Sequence, residues 1–301
     1  MGPNDDAPAL NPADRVVTKI TLRSFAQFVF YPVEYGRTLI QLGHEPIAPW
    51  PGKSWSGQPR MHLPNIFQYV GHIKARDGMP GIFRGVKLRL VEHVVGQVAY
   101  YVATDSLPPS DIETKIDEGK DVTEEERRRW YLEEFLKAAS GRSLAVIVSH
   151  PFHVCAVRCM AQYIGQETKY GSVFGSLREL YRESGVLGFF SGLVPRLLAD
   201  ICQLAIWHSL TYALTTYVSR EREHRDIFST LMGLVASTCT YPLLVVSNCM
   251  CVSGSGLAAA QYPNMRVYSS WVDCWRNLAG ENQLWRGSSI MLWRYDTRVF
   301  K

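Results

Sequence analysis

Long apolar runs alternate with short, densely charged stretches along the whole chain, and three of the runs share one design. Each has a proline at its centre with an aromatic residue or histidine just before it: "FVFYPVEYGRTLIQLG" around Pro32, "VIVSHPFHVCAVRCMAQYIG" around Pro151 and "ASTCTYPLLVVSNCMCV" around Pro242. A polar loop follows, then a short amphipathic segment: "NIFQYVGHIKARDG", "SVFGSLRELYRESG" or "SSWVDCWRNLAGEN". Each segment runs into a glycine turn, "GIFRG" ending at Gly85, "GFFSG" at Gly192 and "QLWRG" at Gly287. After the first two turns comes another long apolar segment, so the unit reads as long helix, short surface helix, long helix.

The third unit stops short. Only "SSIMLWRYDTRVFK" follows Gly287, reaching roughly 21 Å at about 1.5 Å per helical residue against a hydrocarbon core of roughly 30 Å. The expectation is therefore five long helices and no sixth. The boundaries read as a disordered tail over 1–15, repeat one over 16–106, a charged linker over 107–129, repeat two over 130–222 and a truncated repeat three over 223–301. The linker contains one helical stretch, with Thr123 as a cap.

Helical periodicity adds polar stripes to this picture. At 100° per residue, Lys19, Arg23, Gln27, Glu34, Arg37 and Gln41 fall within an arc of about 80° on the first helix. Arg89, His93 and Gln97 do the same on the second long segment, with Glu92 at the edge. The third contributes Arg142, His150 and His153, and the fourth Arg196, Asp200 and Gln203. Charges at membrane depth cost about 2.5–3.5 kcal/mol each unless they face a bundle interior or water. Shared stripes thus predict one hydrated space, and an absent sixth helix predicts that it opens sideways beside the first and fifth helices.

Composition narrows the chemistry. The formal charge is +4 with 32 basic residues scattered along the chain, which gives no basic stripe for nucleic acid. The seven cysteines form no C-x-x-C pair and read as small apolar residues within helices. His150 and His153 have a spacing that a metal could use, but no third ligand lies near them in sequence, so no metal is expected. There is no lysine-terminated phosphate loop and no nucleophile elbow. The reading is non-enzymatic and cofactor-free.

The triplicated unit, the kinked odd helices and the glycine-aromatic turns resemble the mitochondrial carrier family. Its P-x-[DE]-x-x-[KR] signature is intact in repeat one at Pro32, Glu34 and Arg37. Repeat two has His153 and Ala156 at the acid and base positions after Pro151, and repeat three has Leu244 and Ser247 after Pro242. The resemblance implies a ring of ion pairs gating a central cavity, and one pair of three remains. These departures resemble the family's divergent carrier-homolog branch. The fold so implied is an all-α, multi-pass membrane protein with a degenerate carrier fold and a lateral polar groove. The branch further implies residence in the mitochondrial outer membrane, insertion of α-helical proteins including tail-anchored ones, docking of a truncated pro-apoptotic BH3-only protein, and contact with membrane lipids. A degenerate solute carrier and a lipid scramblase are the competing expectations.

Overall fold

A computed structural model describes residues 12–53, 56–106, 123–217, 222–289 and 294–295. Its long helices are α1 (Pro12–Gln41), α3 (Val86–Asp105), α4 (Glu124–Gly165), α6 (Leu193–Tyr217) and α7 (Arg222–Val252). The short ones are α2 (Ile66–Gly81), α5 (Val173–Gly188) and α8 (Trp271–Gly280). Pro32, Pro151 and Pro242 lie inside α1, α4 and α7. The alternation of long odd helix, surface helix and long even helix follows the periodicity of the sequence. Each surface helix begins at a side-chain cap, Asn65, Ser172 or Ser270, whose oxygen accepts a bond from the third residue onward.

Five helices have the length to cross a bilayer, but their apolarity differs. Among the described residues, α4, α6 and α7 are long and apolar enough to cross a membrane by length and composition. The 30-residue α1 and the 20-residue α3 have the length but carry Arg23, Glu34 and Arg37, or Lys87, Arg89 and Glu92, inside it. Three apolar spans are thus joined by two polar-striped helices, whose charges are those the helical periodicity places on one face.

Other details depart from the pattern. The loop after α1 is a β-hairpin, β1 (Trp50–Lys53) against β2 (Pro59–Leu63), and β3 (Arg294–Tyr295) adds to β2. The strands are short and mostly polar, so no alternating apolar pattern marks them. Of the tail expected over 1–15, residues 12–15 are already helical and 1–11 lie outside the described residues. Likewise 107–122 of the expected linker lie outside them. Thr123 does cap a helix, in a capping box with Glu126, but that helix is α4 itself, 42 residues long and continuous through Arg127–Arg129 into the apolar run.

The core sits at one end of the bundle, around the C-terminal halves of the odd helices. One cluster joins α1, α2 and α4 through Tyr31, Tyr35, Ile66, Tyr69 and Met160, all at 2% exposure or less. A second joins α4, α5, α7 and α8 through Val154, Leu180, Val245, Cys249 and Leu278. The other end is loosely covered. On α1 only Val16, Ile20, Ser24 and Gln27 are partly covered between residues 16 and 30, a spacing of three and four that marks one narrow contact face. On α7, Ser229, Met232, Gly233, Ala236 and Thr240 trace a similar face, turned to α6 by the Trp207 indole, which donates to the Ser229 carbonyl at 2.9 Å.

Candidate functional site

The three kinked helices are fixed to their glycine turns by one repeated contact. The Tyr31 hydroxyl donates to the carbonyl of Arg84, and the Tyr241 hydroxyl donates to that of Arg286 at 2.8 Å. In repeat two, His150 Nε2 donates to Ser191 at 2.9 Å. In each case the donor precedes the proline and the acceptor precedes the turn glycine. Gly85, Gly192 and Gly287 have φ of +85°, +77° and +76°, and a Cβ on Gly192 would lie 2.5 Å from the Ser247 carbonyl oxygen. His150 is thus the counterpart of two tyrosines. With Nε2 donating, its Nδ1 accepts from Arg196 Nη1 at 3.3 Å and orients that guanidinium.

Arg196 leads into a closed cluster. Its Nη2 lies 2.7 Å from Glu92 Oε1, Arg89 Nη1 lies 2.6 Å from Glu92 Oε2, and Arg89 also pairs with Glu34. His153 Nδ1 lies 3.0 Å from Glu92 and 2.7 Å from Arg89. Glu92, expected at the edge of its stripe, is therefore the hub joining α3, α4 and α6, and through Arg89 it reaches α1. Two carboxylates face two guanidiniums, so the cluster balances with His153 uncharged. His153 occupies the signature's acid position, and Glu92 supplies the carboxylate there from α3. Side chains of Glu92 and His153 are 8% and 7% exposed, so this is a sealed floor.

Glu34 and Arg37 do not pair with each other. Arg37 Nε donates to the Gly287 carbonyl at 3.1 Å and its guanidinium lies 4.7 Å from the Tyr241 ring centre. Gln41 donates to the Tyr241 hydroxyl at 2.9 Å and accepts from Asn248 at 2.6 Å. Arg286 Nε donates to the Gln41 carbonyl at 2.5 Å. These contacts join α1 to α7 at the floor end.

Toward the other end the predicted residues spread out. Arg23 donates to Gln97 at 3.1 Å, and Arg142 pairs with Asp200 at 3.3 Å. Lys19 is exposed, while Gln27, His93 and Gln203 are half-buried and stand apart from the floor cluster. The uncovered sides of α1 and α7 are apolar: Leu22, Phe25 and Phe30 are each more than 60% exposed, and Leu231, Leu234 and Val235 between 46% and 61%. The two helices meet at the floor, and above it each touches a single neighbour on a narrow face, α3 or α6.

The sequence reading missed Arg158, which is 1% exposed. Its Nε donates to the Cys251 carbonyl at 2.9 Å and Nη1 to Glu183 at 3.3 Å, tying α4 to α5 and α7. A lone arginine within an apolar helix was the available signal. Burial raises the pKa of the nearby Tyr170 hydroxyl, which donates to Glu183 at 2.5 Å.

The family model described as mitochondrial carrier protein matches residues 127–222. Over 91% of its length the chain is 37% identical to mitochondrial carrier homolog 2 of Bos taurus, covering 92% of that protein. The Homo sapiens protein of the same name gives the same identity and the same coverage. The chain belongs to the mitochondrial carrier family, in its carrier-homolog branch. Mitochondrial carrier homolog 1 of Mus musculus is 32% identical across 89% of the chain and 74% of that protein. With these relatives and its spanning helices, the chain is a mitochondrial membrane protein.

Proposed function

We propose that this carrier homolog inserts α-helical membrane proteins, tail-anchored ones included, into the outer mitochondrial membrane through a polar groove that opens sideways between α1 and α7. The reading is carried by the uncovered apolar faces of α1 and α7 above a floor sealed by the Glu92 cluster. A charged residue at membrane depth costs about 2.5–3.5 kcal/mol, and more when no water or partner reaches it. In the groove a client's polar tail passes beside Lys19, Arg23 and the half-exposed Arg142, while its apolar helix leaves between Phe25 and Leu234 by partitioning into lipid. Neither step needs covalent chemistry or a nucleotide. The same open faces would receive an amphipathic helix of a docking protein.

Solute exchange would require the floor to open in every cycle. That floor is held by one carboxylate bonded to three side chains from α3, α4 and α6, which weighs against alternating access. Insertion is tested with purified protein in liposomes. Replacing Lys19, Arg23 and Arg142 together by glutamine is expected to slow insertion of a client with an acidic tail by roughly tenfold, about 1.4 kcal/mol of lost charge compensation. A client with an uncharged tail should be little affected. Equal insertion of the acidic client by both proteins would rule out the groove.

A further inference from the structure

A slot of about 210 Å³ lies between α4 and α6, away from the floor cluster. Its walls include Tyr131 and Phe135 from α4 and Ala205, His208 and Tyr212 from α6, with Arg128 at its rim. The Tyr131 and Tyr212 rings meet edge to face at 5.2 Å, and Phe135 meets His208 at 5.8 Å. At about 30 Å³ per water-sized group, the space holds a single chain segment.

Its position and chemistry together select the ligand. The helix α6 runs on to Tyr217, and the first charged residue after it in the sequence is Arg220. Tyr212 therefore lies about 8 Å and Ala205 about 18 Å before the last residue of the helix at roughly 1.5 Å per residue, spanning headgroup level to acyl level. Trp130, Tyr131 and Tyr212 cluster where aromatic residues anchor helices at a membrane interface. Among the residues lining the slot, two polar groups lack partners. His208 Nε2 is buried with none, and Arg128 is exposed with no acidic partner among the described residues, whereas Arg129 pairs with Glu133 at 3.5 Å. An apolar slot with an orphaned ring nitrogen inside and a free guanidinium at its mouth matches an acyl chain, an ester carbonyl and a phosphate in that order.

We propose that this slot binds an anionic phospholipid, its acyl chain against Tyr131, Phe135 and Tyr212, its ester carbonyl accepting from His208 and its phosphate on Arg128. A free phosphate would leave the apolar walls and His208 unused.

The test is native mass spectrometry of the full chain, purified from vesicles of phosphatidylglycerol and phosphatidylcholine. Wild type is expected to retain one phosphatidylglycerol in preference to phosphatidylcholine. Arg128→Gln should lower that retention roughly tenfold, the effect of one lost charge-assisted hydrogen bond. Ala205→Phe, which fills the slot and leaves the charge, should abolish it, and Arg182→Gln, at an exposed arginine on α5, should leave it unchanged. Retention by Ala205→Phe at the wild-type level, or equal loss in Arg182→Gln, overturns the slot. Displacement of the lipid by inorganic phosphate alone marks a simple anion site and overturns it too. Because Arg128 is exposed, its variant keeps the test decisive if the filled slot fails to fold, and retention unchanged by Arg128→Gln also refutes the proposal.

Discussion

Replacing Glu92 by glutamine keeps the shape of the floor and removes one charge from it. Glu92 receives Arg89 at 2.6 Å, Arg196 at 2.7 Å and His153 at 3.0 Å, in a cluster where it and Glu34 balance two guanidiniums. Without it, two guanidiniums face only the Glu34 carboxylate, which pairs with Arg89, and Arg196 is left unpaired at 15% exposure. Breaking a buried pair on one side costs about 3–5 kcal/mol. Thermal unfolding in detergent should show a drop of several degrees for Glu92→Gln. Glu179, which meets the exposed Arg182 of its own helix at 4.0 Å, should give almost none as Glu179→Gln, since such pairs contribute about 0.3–0.5 kcal/mol. His153→Glu alone adds a third carboxylate and should also destabilise. Combined with Glu92→Gln it restores the balance of two against two, with the acid at the signature position, and should recover much of the loss. A double variant no more stable than the worse single one would refute the view that Glu92 stands in for the acid of repeat two.

The repeated contact before each proline makes a second prediction: His150→Tyr should be tolerated, whereas His150→Leu leaves the Ser191 carbonyl with only the weak Cys251 thiol donor at 3.3 Å and should cost about 1 kcal/mol by the same unfolding assay. At the glycine turns, Gly192→Ala should destabilise more than Gly254→Ala. Both have φ near +75°, but only Gly192 would place its Cβ against backbone, at 2.5 Å, and comparing the two melting temperatures isolates the clash. His44, in the loop after α1, has its pKa lowered by burial to about 4 from 6.5. An unfolded chain takes up that proton first, so stability should fall as pH drops from 6.5 toward 4 and level off below. Melting curves across that range should be flatter for His44→Phe.

The sequence carried the helices because their burial follows a period of 3.6 residues, and the prolines and turn glycines occupy the same place in each unit. Side-chain partners were less legible. A helical wheel orders residues around one axis and says nothing about rotation between helices, so Glu92 fell at the edge of its stripe although it is the hub. His150 looked like its neighbour His153, yet one holds a turn and the other lines the floor, a difference set by residues 41 and 61 positions away. Arg158 was passed over because its partners, Cys251 and Glu183, lie outside its own stripe. The hairpin at Trp50–Leu63 has too few alternating apolar residues to declare itself.

The lateral opening is tested most directly by photo-crosslinking a tail-anchored client during insertion. Crosslinkers at Phe25 and Leu22 on α1 and at Leu231 and Leu234 on α7 report on the open side, and crosslinkers at the exposed Val98 and Val102 on α3 report on the outer wall beside it, past α1. Adducts from α1 and α7 that appear during insertion and disappear on its completion, with none from α3, are the predicted result. Equal adducts at all six positions, or adducts from α3 alone, would contradict a groove between α1 and α7.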